Sequence, residues 1–383
     1  MIEPVFAKIA ALEEDYCRVW EEYCSIESPT LCKEGVDAAN EYVARLAAEK
    51  GWRVEYCRQP VSGDAVCITM NPDAAGTPLA ISGHVDTVHP VGLFGTPAVR
   101  RDETRIYGPG VMDCKGGIVA GLLAMDALAQ CGFAERPILL LLQSDEEVGS
   151  SDLEYFVTVR KAPKFSFTPD SSFPVCIGEK GILSVECEFP ALPAGIKEIK
   201  GGTVSNAVPG KAYAVVDKKG LPESEGITLT ETENGTRIEA VGKVAHAAMP
   251  ESGVNAINLV LSYLIENGIA DKNSFLGLIC DSTAEYLGKT LGIEAENTDF
   301  GYLTCVGGVI SGDANGVTQS YNVRYLPETP YEEIVERIAK TVSAFGGSVK
   351  VCAQSDGYFV SADDKQIKAL TDACESVLGI ECK

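Results

Sequence analysis

The stretch Ile81-Ser82-Gly83-His84-Val85-Asp86-Thr87-Val88-His89-Pro90 decides the fold and holds the first candidate functional residues. It begins at the end of an apolar run, 79–81, which predicts a short buried strand. Gly83 interrupts this run, and His84 and Asp86 follow it two positions apart. Residues two apart share a face of an extended chain, so Asp86 can orient the His84 ring while its other nitrogen binds a metal ion. Taken alone, the pair is better explained as a loop histidine beside a turn aspartate.

Strand and helix patterns alternate from the N-terminus to about Gly181. Apolar residues at helical spacing predict helices at 4–23, 35–50 and 118–129. Short apolar runs predict strands at 52–57, 65–70, 137–142 and 165–167. This alternation predicts an α/β fold with a mostly parallel sheet flanked by helices.

The pattern after Gly181 differs. It predicts strands at 183–189, 211–216, 237–241 and 302–306 and helices at 252–267, 274–287 and 331–345. These strands and helices do not alternate regularly, as they would in a series of β-α-β crossovers. This is typical of an inserted α+β domain. We therefore expect one domain formed by residues 1–184 and 356–383, and a second one at 185–355.

Three further polar loops follow a predicted strand or begin a helix. They contain Asp113, the pair Glu146 and Glu147, and Asp170. Each has an ordinary explanation, as a loop cap, a helix start or a turn. Loops at the carboxyl edge of one sheet converge in space, however, and one histidine with several carboxylates suits divalent cations, zinc above all. Their joint occurrence at successive strand ends favours a metal site.

The composition excludes several classes of function. The 383 residues include 32 basic and 55 acidic side chains, for a net charge of −23. Because such a field repels phosphate groups, we expect neither a nucleic-acid partner nor binding to an anionic membrane. We find no signal peptide and no apolar run that approaches a membrane span. The 14 cysteines are scattered without a Cys-x-x-Cys pair, which indicates reduced thiols and a cytoplasmic location.

Short motifs along the whole chain carry a resemblance to a known family. They are GHVDTV (83–88), GPGVMDCKG (108–116), DEEVG (145–149), PD (169–170), GEKG (178–181), GGTVSN followed by VP (201–209), AHAAMPESGVNA (245–256) and NVRY (322–325). Together they resemble the di-zinc aminoacylase/carboxypeptidase/dipeptidase family of metallopeptidases, and within it the PepV-type dipeptidases. The resemblance implies a zinc-peptidase catalytic domain with an inserted lid domain.

The resemblance also implies the metal ligands. His84, Asp113 and Asp170 would bind one zinc ion, and Asp113 would bridge to a second one, which Glu147 also binds. The family supplies a last ligand of the second zinc from a histidine near its C-terminus, but no histidine follows His246 here. We interpret this as a C-terminal truncation of the chain, the alternative being a variant with a weakened second site. We expect one tightly bound zinc and a poorly bound second one.

The remaining roles follow from the same resemblance. Glu146 would act as the general base, Asp86 would orient His84, and His246 would donate to the oxyanion. Asn206 and Arg324 would hold the substrate, since the guanidinium of Arg324 suits a bidentate grip on a terminal carboxylate.

The implied activity is hydrolysis of small peptide substrates, namely dipeptides, by a zinc-activated water. The insert of about 170 residues is large for one compact lid and nearer the double-sized lid of the PepV type, which favours a monomer. Two alternatives stay open. One is an N-acyl-amino-acid amidohydrolase with the same metal site. The other is a non-catalytic metal-binding protein, because the last histidine ligand is absent.

Overall fold

A computed structural model describes residues 2–58, 62–171 and 174–382 of the chain. The chain forms two compact units, unit 1 (Met1–Val175 and Leu370–Lys383) and unit 2 (Cys176–Ala369). The boundaries differ from positions 184 and 356 because the strand Gly178–Glu179 pairs with Tyr358–Phe359 inside unit 2. Within the described ranges, no helix is both long and apolar enough to span a bilayer.

Unit 1 is an α/β unit, as the alternating patterns predict. Its helices and strands are α1 (Ile2–Ser25), α2 (Lys33–Glu49), β1 (Arg53–Cys57), β2 (Ala65–Met70), β3 (Leu79–His84), β4 (Arg100–Arg101), β5 (Ile106–Tyr107), α3 (Lys115–Gln130), β6 (Ile138–Gln143), α4 (Ser151–Val159) and β7 (Ser166–Phe167). Five of the strands form one sheet in the order β1-β2-β6-β3-β7, and β4 and β5 form a separate ribbon.

The sheet of unit 1 is mixed rather than mostly parallel. β3 runs parallel to both β6 and β7, whereas β2 is antiparallel to both β1 and β6. A parallel connection needs a crossover of about a dozen residues or more, and only residues 58–64 join β1 to β2. The α/β prediction is therefore confirmed, and the parallel pairing holds for the part of the sheet around β3.

Helix α3 is fixed on this sheet by one apolar face. Ile118, Leu122 and Met125 recur at helical spacing and are buried in the same apolar core as Ile81 and Leu140 of the sheet. This packing places the first turn of α3 beside the carboxyl end of β3.

Unit 2 is an α+β unit, as predicted for the part of the chain after Gly181, and its main sheet is antiparallel. Its elements are β8 (Gly178–Glu179), β9 (Gly181–Phe189), β10 (Ile196–Gly201), β11 (Ala207–Val208), β12 (Lys211–Val216), β13 (Ile227–Thr232), β14 (Gly235–Val241), β15 (Ala245–His246), α5 (Ala256–Glu266), α6 (Phe275–Thr283), β16 (Glu296–Asn297), β17 (Gly301–Tyr302), β18 (Thr304–Gly312), β19 (Val317–Tyr325), α7 (Tyr331–Ser343), β20 (Ser348–Ser355) and β21 (Tyr358–Phe359). Helix α8 (Lys365–Leu378) runs across the boundary into unit 1. The main sheet has the order β13-β14-β12-β10-β18-β19-β9-β20.

Candidate metal centre and substrate-binding residues

His84 is the last residue of β3, and its side chain is buried at the carboxyl end of the strand. Its Nε2 atom lies 2.7 Å from Oδ1 of Asp113 and 3.3 Å from Oδ2 of Asp170. Burial disfavours the charged ring, but hydrogen bonds with Asp170 and Asp86 outweigh it and raise the pKa of His84 to about 12 in the metal-free chain. The imidazole thus sits among carboxylates that favour a positive charge at this position.

Asp86 links the His84 strand to the loop of the two glutamates. On the ring edge opposite the other carboxylates, Nδ1 of His84 lies 3.0 Å from the backbone carbonyl oxygen of Asp86 and 3.3 Å from its Oδ1. The same carboxylate accepts hydrogen bonds from the backbone N–H groups of Glu146 at 3.2 Å and Glu147 at 3.3 Å. The hydroxyl of Thr30 donates to its Oδ2 at 2.9 Å. Asp86 can therefore orient the histidine and the glutamate turn together.

Glu146 and Glu147 lie on a short turn that follows β6 and ends at Gly149. Gly149 has a φ of +111°, which a residue with a side chain rarely adopts. A carboxylate oxygen of Glu147 lies within 4.8 Å of ligand atoms of His84 and Asp113. Burial and the nearby charge of Asp113 raise the pKa of Glu147 to about 7. Oε2 of Glu146 lies 3.9 Å from Nε2 of His84, and burial raises the pKa of Glu146 as well.

Asp170 reaches the same place because its loop packs tightly against the first turn of α3. A Cβ atom at Gly117, in the first turn of α3, would lie only 2.6 Å from Cγ of Pro169. Only a glycine lets the segment that carries Asp170 come this close to the helix. The structure thus gathers Asp113, Glu147 and Asp170 around the imidazole of His84.

The sequence analysis missed one residue at this centre, Cys114. Its Sγ atom forms a second group with His84 and Asp170, in which all three ligand atoms lie within 4.8 Å of one another. The sequence did contain an indication of this ligand, because a cysteine directly follows the predicted ligand Asp113. The absence of a Cys-x-x-Cys pair argued only against a site made of several thiolates.

The donor set suits a divalent cation. Among the described residues, the carboxylates of Asp113, Glu146 and Asp170 form ion pairs with His84 and with no lysine or arginine. Glu147 forms no ion pair in that part of the chain. Asp113, Glu146, Glu147 and Asp170 are four carboxylates around a single imidazole, so a further cation would stabilise the cluster. Imidazole nitrogen and carboxylate oxygen are both zinc ligands.

In unit 2, Asn206 directly precedes β11, His246 is the last residue of β15, and Arg324 lies on β19. The N–H of Ala247 donates to the carbonyl of Asn206 at 3.0 Å, where β15 joins β11. The carbonyl of Ala247 accepts from the hydroxyl of Thr304 at 2.9 Å, and Thr304 is the direct partner of Arg324 across β18 and β19. This chain of contacts brings the three predicted residues into one region of unit 2.

His246 and Arg324 both present N–H donors that could bind an anion. Nδ1 of His246 accepts from the N–H of Ala248 at 3.1 Å, so a neutral ring carries its proton on Nε2. Burial and the charge of Arg324 lower the pKa of His246. Nε of Arg324 donates to Oδ1 of Asn322 at 3.1 Å, and within the described ranges no carboxylate pairs with this half-buried guanidinium. Both side chains therefore have N–H groups available for a negatively charged ligand.

Comparisons with known proteins agree with this architecture. Peptidase family M20/M25/M40 matches residues 80–383. YtjP of Bacillus subtilis (strain 168) is 28% identical over 324 residues, which cover 77% of this chain and 68% of the relative. The Beta-Ala-Xaa dipeptidase of Lactobacillus delbrueckii subsp. lactis is 25% identical over 340 residues, which cover 81% of this chain and 71% of the relative.

Solved structures share the fold at low sequence identity. Human carnosine dipeptidase 1 has a TM-score of 0.61 at 14% identity, and the match covers 100% of this chain and 86% of that one. The dipeptidase Dug1p of Saccharomyces cerevisiae has a TM-score of 0.60 at 13% identity, with the same coverage. Because the family match spans most of the sequence, the chain belongs to peptidase family M20/M25/M40.

Proposed function

We propose that this chain is a zinc-dependent dipeptidase. The observation that carries the proposal is the environment of His84, whose Nε2 lies 2.7 Å from Asp113 and 3.3 Å from Asp170, with Glu147 in the same cluster. The names of relatives in the family, such as the Beta-Ala-Xaa dipeptidase, support dipeptides as the substrate class.

The residues that would hold zinc are those gathered around His84. His84, Asp113 and Asp170 are assigned to one ion, and Asp113 and Glu147 to the second. When bound, such a pair of ions supplies a water molecule whose pKa is lowered towards about 7.

Glu146 is the proposed general base. Its carboxylate is half-exposed and lies beside the ligand cluster, 3.9 Å from Nε2 of His84. A base near this position takes the proton of the attacking water and returns it to the leaving amine. The hydrogen bond from its backbone N–H to Asp86 supports this role, because it limits where the Glu146 turn can lie.

The residues of unit 2 are assigned to the substrate. The Nε2–H group of His246 would donate to the carbonyl oxygen as negative charge develops there. Arg324 would bind the terminal carboxylate through its planar fork of N–H groups, with Asn206 as a further polar contact. In this proposal unit 2 acts as the lid and the protein is a monomer.

The proposed location is the cytoplasm, which the fourteen free cysteines support.

The test compares a dipeptide with its N-acetyl analogue on the zinc-loaded protein. We expect release of free amino acids from the dipeptide, loss of this activity on chelation and its return with added zinc. Faster hydrolysis of the N-acetyl compound would make the chain an N-acyl-amino-acid amidohydrolase. Zinc binding without hydrolysis of either compound would make it a non-catalytic metal-binding protein.

A further inference from the structure

Cys114 is a buried thiol at the candidate metal centre for which the roles assigned above leave no function. It directly follows Asp113, precedes the first residue of α3 and is fully inaccessible to solvent. Its Sγ atom lies within 4.8 Å of ligand atoms of both His84 and Asp170. The thiol is thus close to an imidazole and a carboxylate that are already assigned to zinc.

Two glycines leave the space that the sulfur occupies. A Cβ atom at Gly83 would lie 3.2 Å from Sγ of Cys114, and a Cβ atom at Gly117 would lie 3.4 Å from it. Gly83 directly precedes His84 on β3, and Gly117 packs against the segment that carries Asp170. The sulfur is therefore held between β3, next to His84, and the first turn of its own helix, against which Pro169 packs.

Cysteines are often buried as small apolar side chains, and other thiols of unit 1 fit that explanation. Cys67 packs with Phe156 and Leu141 in an apolar cluster, and Cys24 packs with Val99 in another. In the part of the chain that the structure describes, Cys114 is in none of the apolar clusters. Its neighbourhood combines the apolar side chains of Ile118 and Pro169 with the ligand atoms of His84 and Asp170, which the packed cysteines Cys67 and Cys24 lack.

We propose that Cys114 supplies a thiolate ligand to the zinc ion that His84 and Asp170 bind. Around tetrahedral zinc, ligand atoms lie roughly 3.3–3.7 Å apart, so a group whose ligand atoms lie within 4.8 Å of one another would contract by at most about 1.5 Å. Binding breaks the S–H bond and forms the S–Zn bond, and the proton leaves to solvent. The inference rests on the proposed metal site but not on the identity of the substrate.

The consequence is a zinc site with nitrogen, oxygen and sulfur donors instead of nitrogen and oxygen alone. Such a set favours zinc over magnesium or calcium, which bind oxygen ligands. The sulfur ligand would also make the zinc ion at Asp170 bind more tightly than the ion at Glu147, because the Glu147 group contains no sulfur.

Substitution of zinc by cobalt(II) tests the proposal without any assay of turnover. The full chain is stripped of metal and loaded with one equivalent of cobalt, and the near-ultraviolet spectrum is recorded. We expect a sulfur-to-cobalt charge-transfer band in the unmodified chain and in Cys67→Ser, a matched buried cysteine of the same unit. The band should be absent in Cys114→Ser and in Cys114→Asp. We expect Cys114→Asp to retain cobalt binding, because a carboxylate replaces the thiolate.

Two results would overturn the proposal, namely no charge-transfer band in the unmodified chain, or an unchanged band in folded Cys114→Ser. Circular dichroism establishes that each variant is folded. A competition assay with a chelator should show zinc affinity lower by at least roughly tenfold in Cys114→Ser and unchanged in Cys67→Ser. If the band behaves as expected while dipeptides are not hydrolysed, the sulfur ligand stands and the proposed activity fails.

Discussion

The backbone N–H of Glu146 donates to Oδ1 of Asp86 at 3.2 Å, so the proposed base is attached to the residue that orients the proposed zinc ligand. The same oxygen lies 3.3 Å from Nδ1 of His84. A change at Asp86 should therefore disturb both metal binding and the placement of the base.

We expect Asp86→Ala to weaken zinc binding by roughly tenfold, the lower end of the usual effect of removing a partner of a metal-binding histidine, because the backbone carbonyl of residue 86 still lies 3.0 Å from Nδ1 of His84. A chelator competition assay measures the affinity. The matched control is Asp73→Ala, because the Asp73 carboxylate is 93% exposed and pairs with Arg53 at the surface of the same unit. Equal zinc affinity in the two variants would show that Asp86 does not support the site.

Glu146→Gln should leave zinc binding and folding unchanged but lower turnover by about 10²–10⁴-fold. The amide has nearly the same shape as the carboxylate, yet it cannot accept the proton of water at neutral pH. Steady-state rates and zinc content are measured together on each protein. Glu154→Gln, at an exposed position on α4, is the control. Near-normal turnover of Glu146→Gln would place the base elsewhere.

Arg324→Lys should lower kcat/KM for a dipeptide by roughly 10–100-fold, because hydrogen bonds to charged groups contribute about 1.5–3 kcal/mol and lysine lacks the planar fork. The same dipeptide with an amidated C-terminus should be hydrolysed equally by both proteins. Arg337→Lys is the control, since Arg337 pairs with Glu333 on the exposed side of α7. A similar loss with both substrates would mean that Arg324 does not bind the carboxylate.

Much of unit 1 could be predicted because its buried strands are continuous apolar runs, whereas its helices have apolar residues at helical spacing. The run at 137–142 is apolar throughout and corresponds to β6, whose two faces are both covered. The helix predicted at 118–129 corresponds to α3, with its apolar residues at helical spacing. The mixed sheet could not be predicted this way, because an apolar run indicates burial but not the direction of its neighbour.

Strand β19 was not predicted, although it lies between β18 and β9 in the sheet of unit 2. Its sequence contains Gln319 and Asn322, whose side chains are buried. Polar residues at buried positions break the alternation that indicates a strand. Asn322 donates to Oγ of Ser184 on β9 at 2.9 Å, and this partner is distant in sequence. Only the fold shows that the buried amide of Asn322 has a hydrogen-bond partner.

The metal-free protein should lose stability as the pH rises from about 4 to about 7, partly through Asp152. Burial and the adjacent Asp145 raise the pKa of Asp152 from 3.8 to about 7. Between these values the folded chain holds a proton that the unfolded chain has released, so the stabilisation is complete at low pH and is lost as the pH passes the folded pKa. Chemical denaturation in the presence of chelator, over this pH range, measures it.

Asp152→Asn should reduce this pH dependence, because the amide stays neutral throughout and can still donate to Asp145. Asp152 accepts from the N–H groups of Ser144 at 2.6 Å and Leu153 at 2.7 Å, so the variant is also expected to be somewhat less stable at low pH. Glu154→Gln serves as the control on the same helix. Identical slopes in Asp152→Asn and the unmodified chain would assign the pH dependence to other groups.

The chain should bind one zinc ion tightly and a second one weakly. Both candidate ligand groups depend on His84 for nitrogen, and beyond it the second ion has only the carboxylates of Asp113 and Glu147. Zinc bound mainly by carboxylates lacks the nitrogen or sulfur donors that most of its sites contain. Among the described residues, His89 lies in neither group. Its ring packs edge-on against Phe94, with the two ring centroids 5.0 Å apart. Elemental analysis after dialysis should give about one zinc per chain, and titration should show the weaker second ion. Two ions retained through dialysis would mean that a further residue completes the second site.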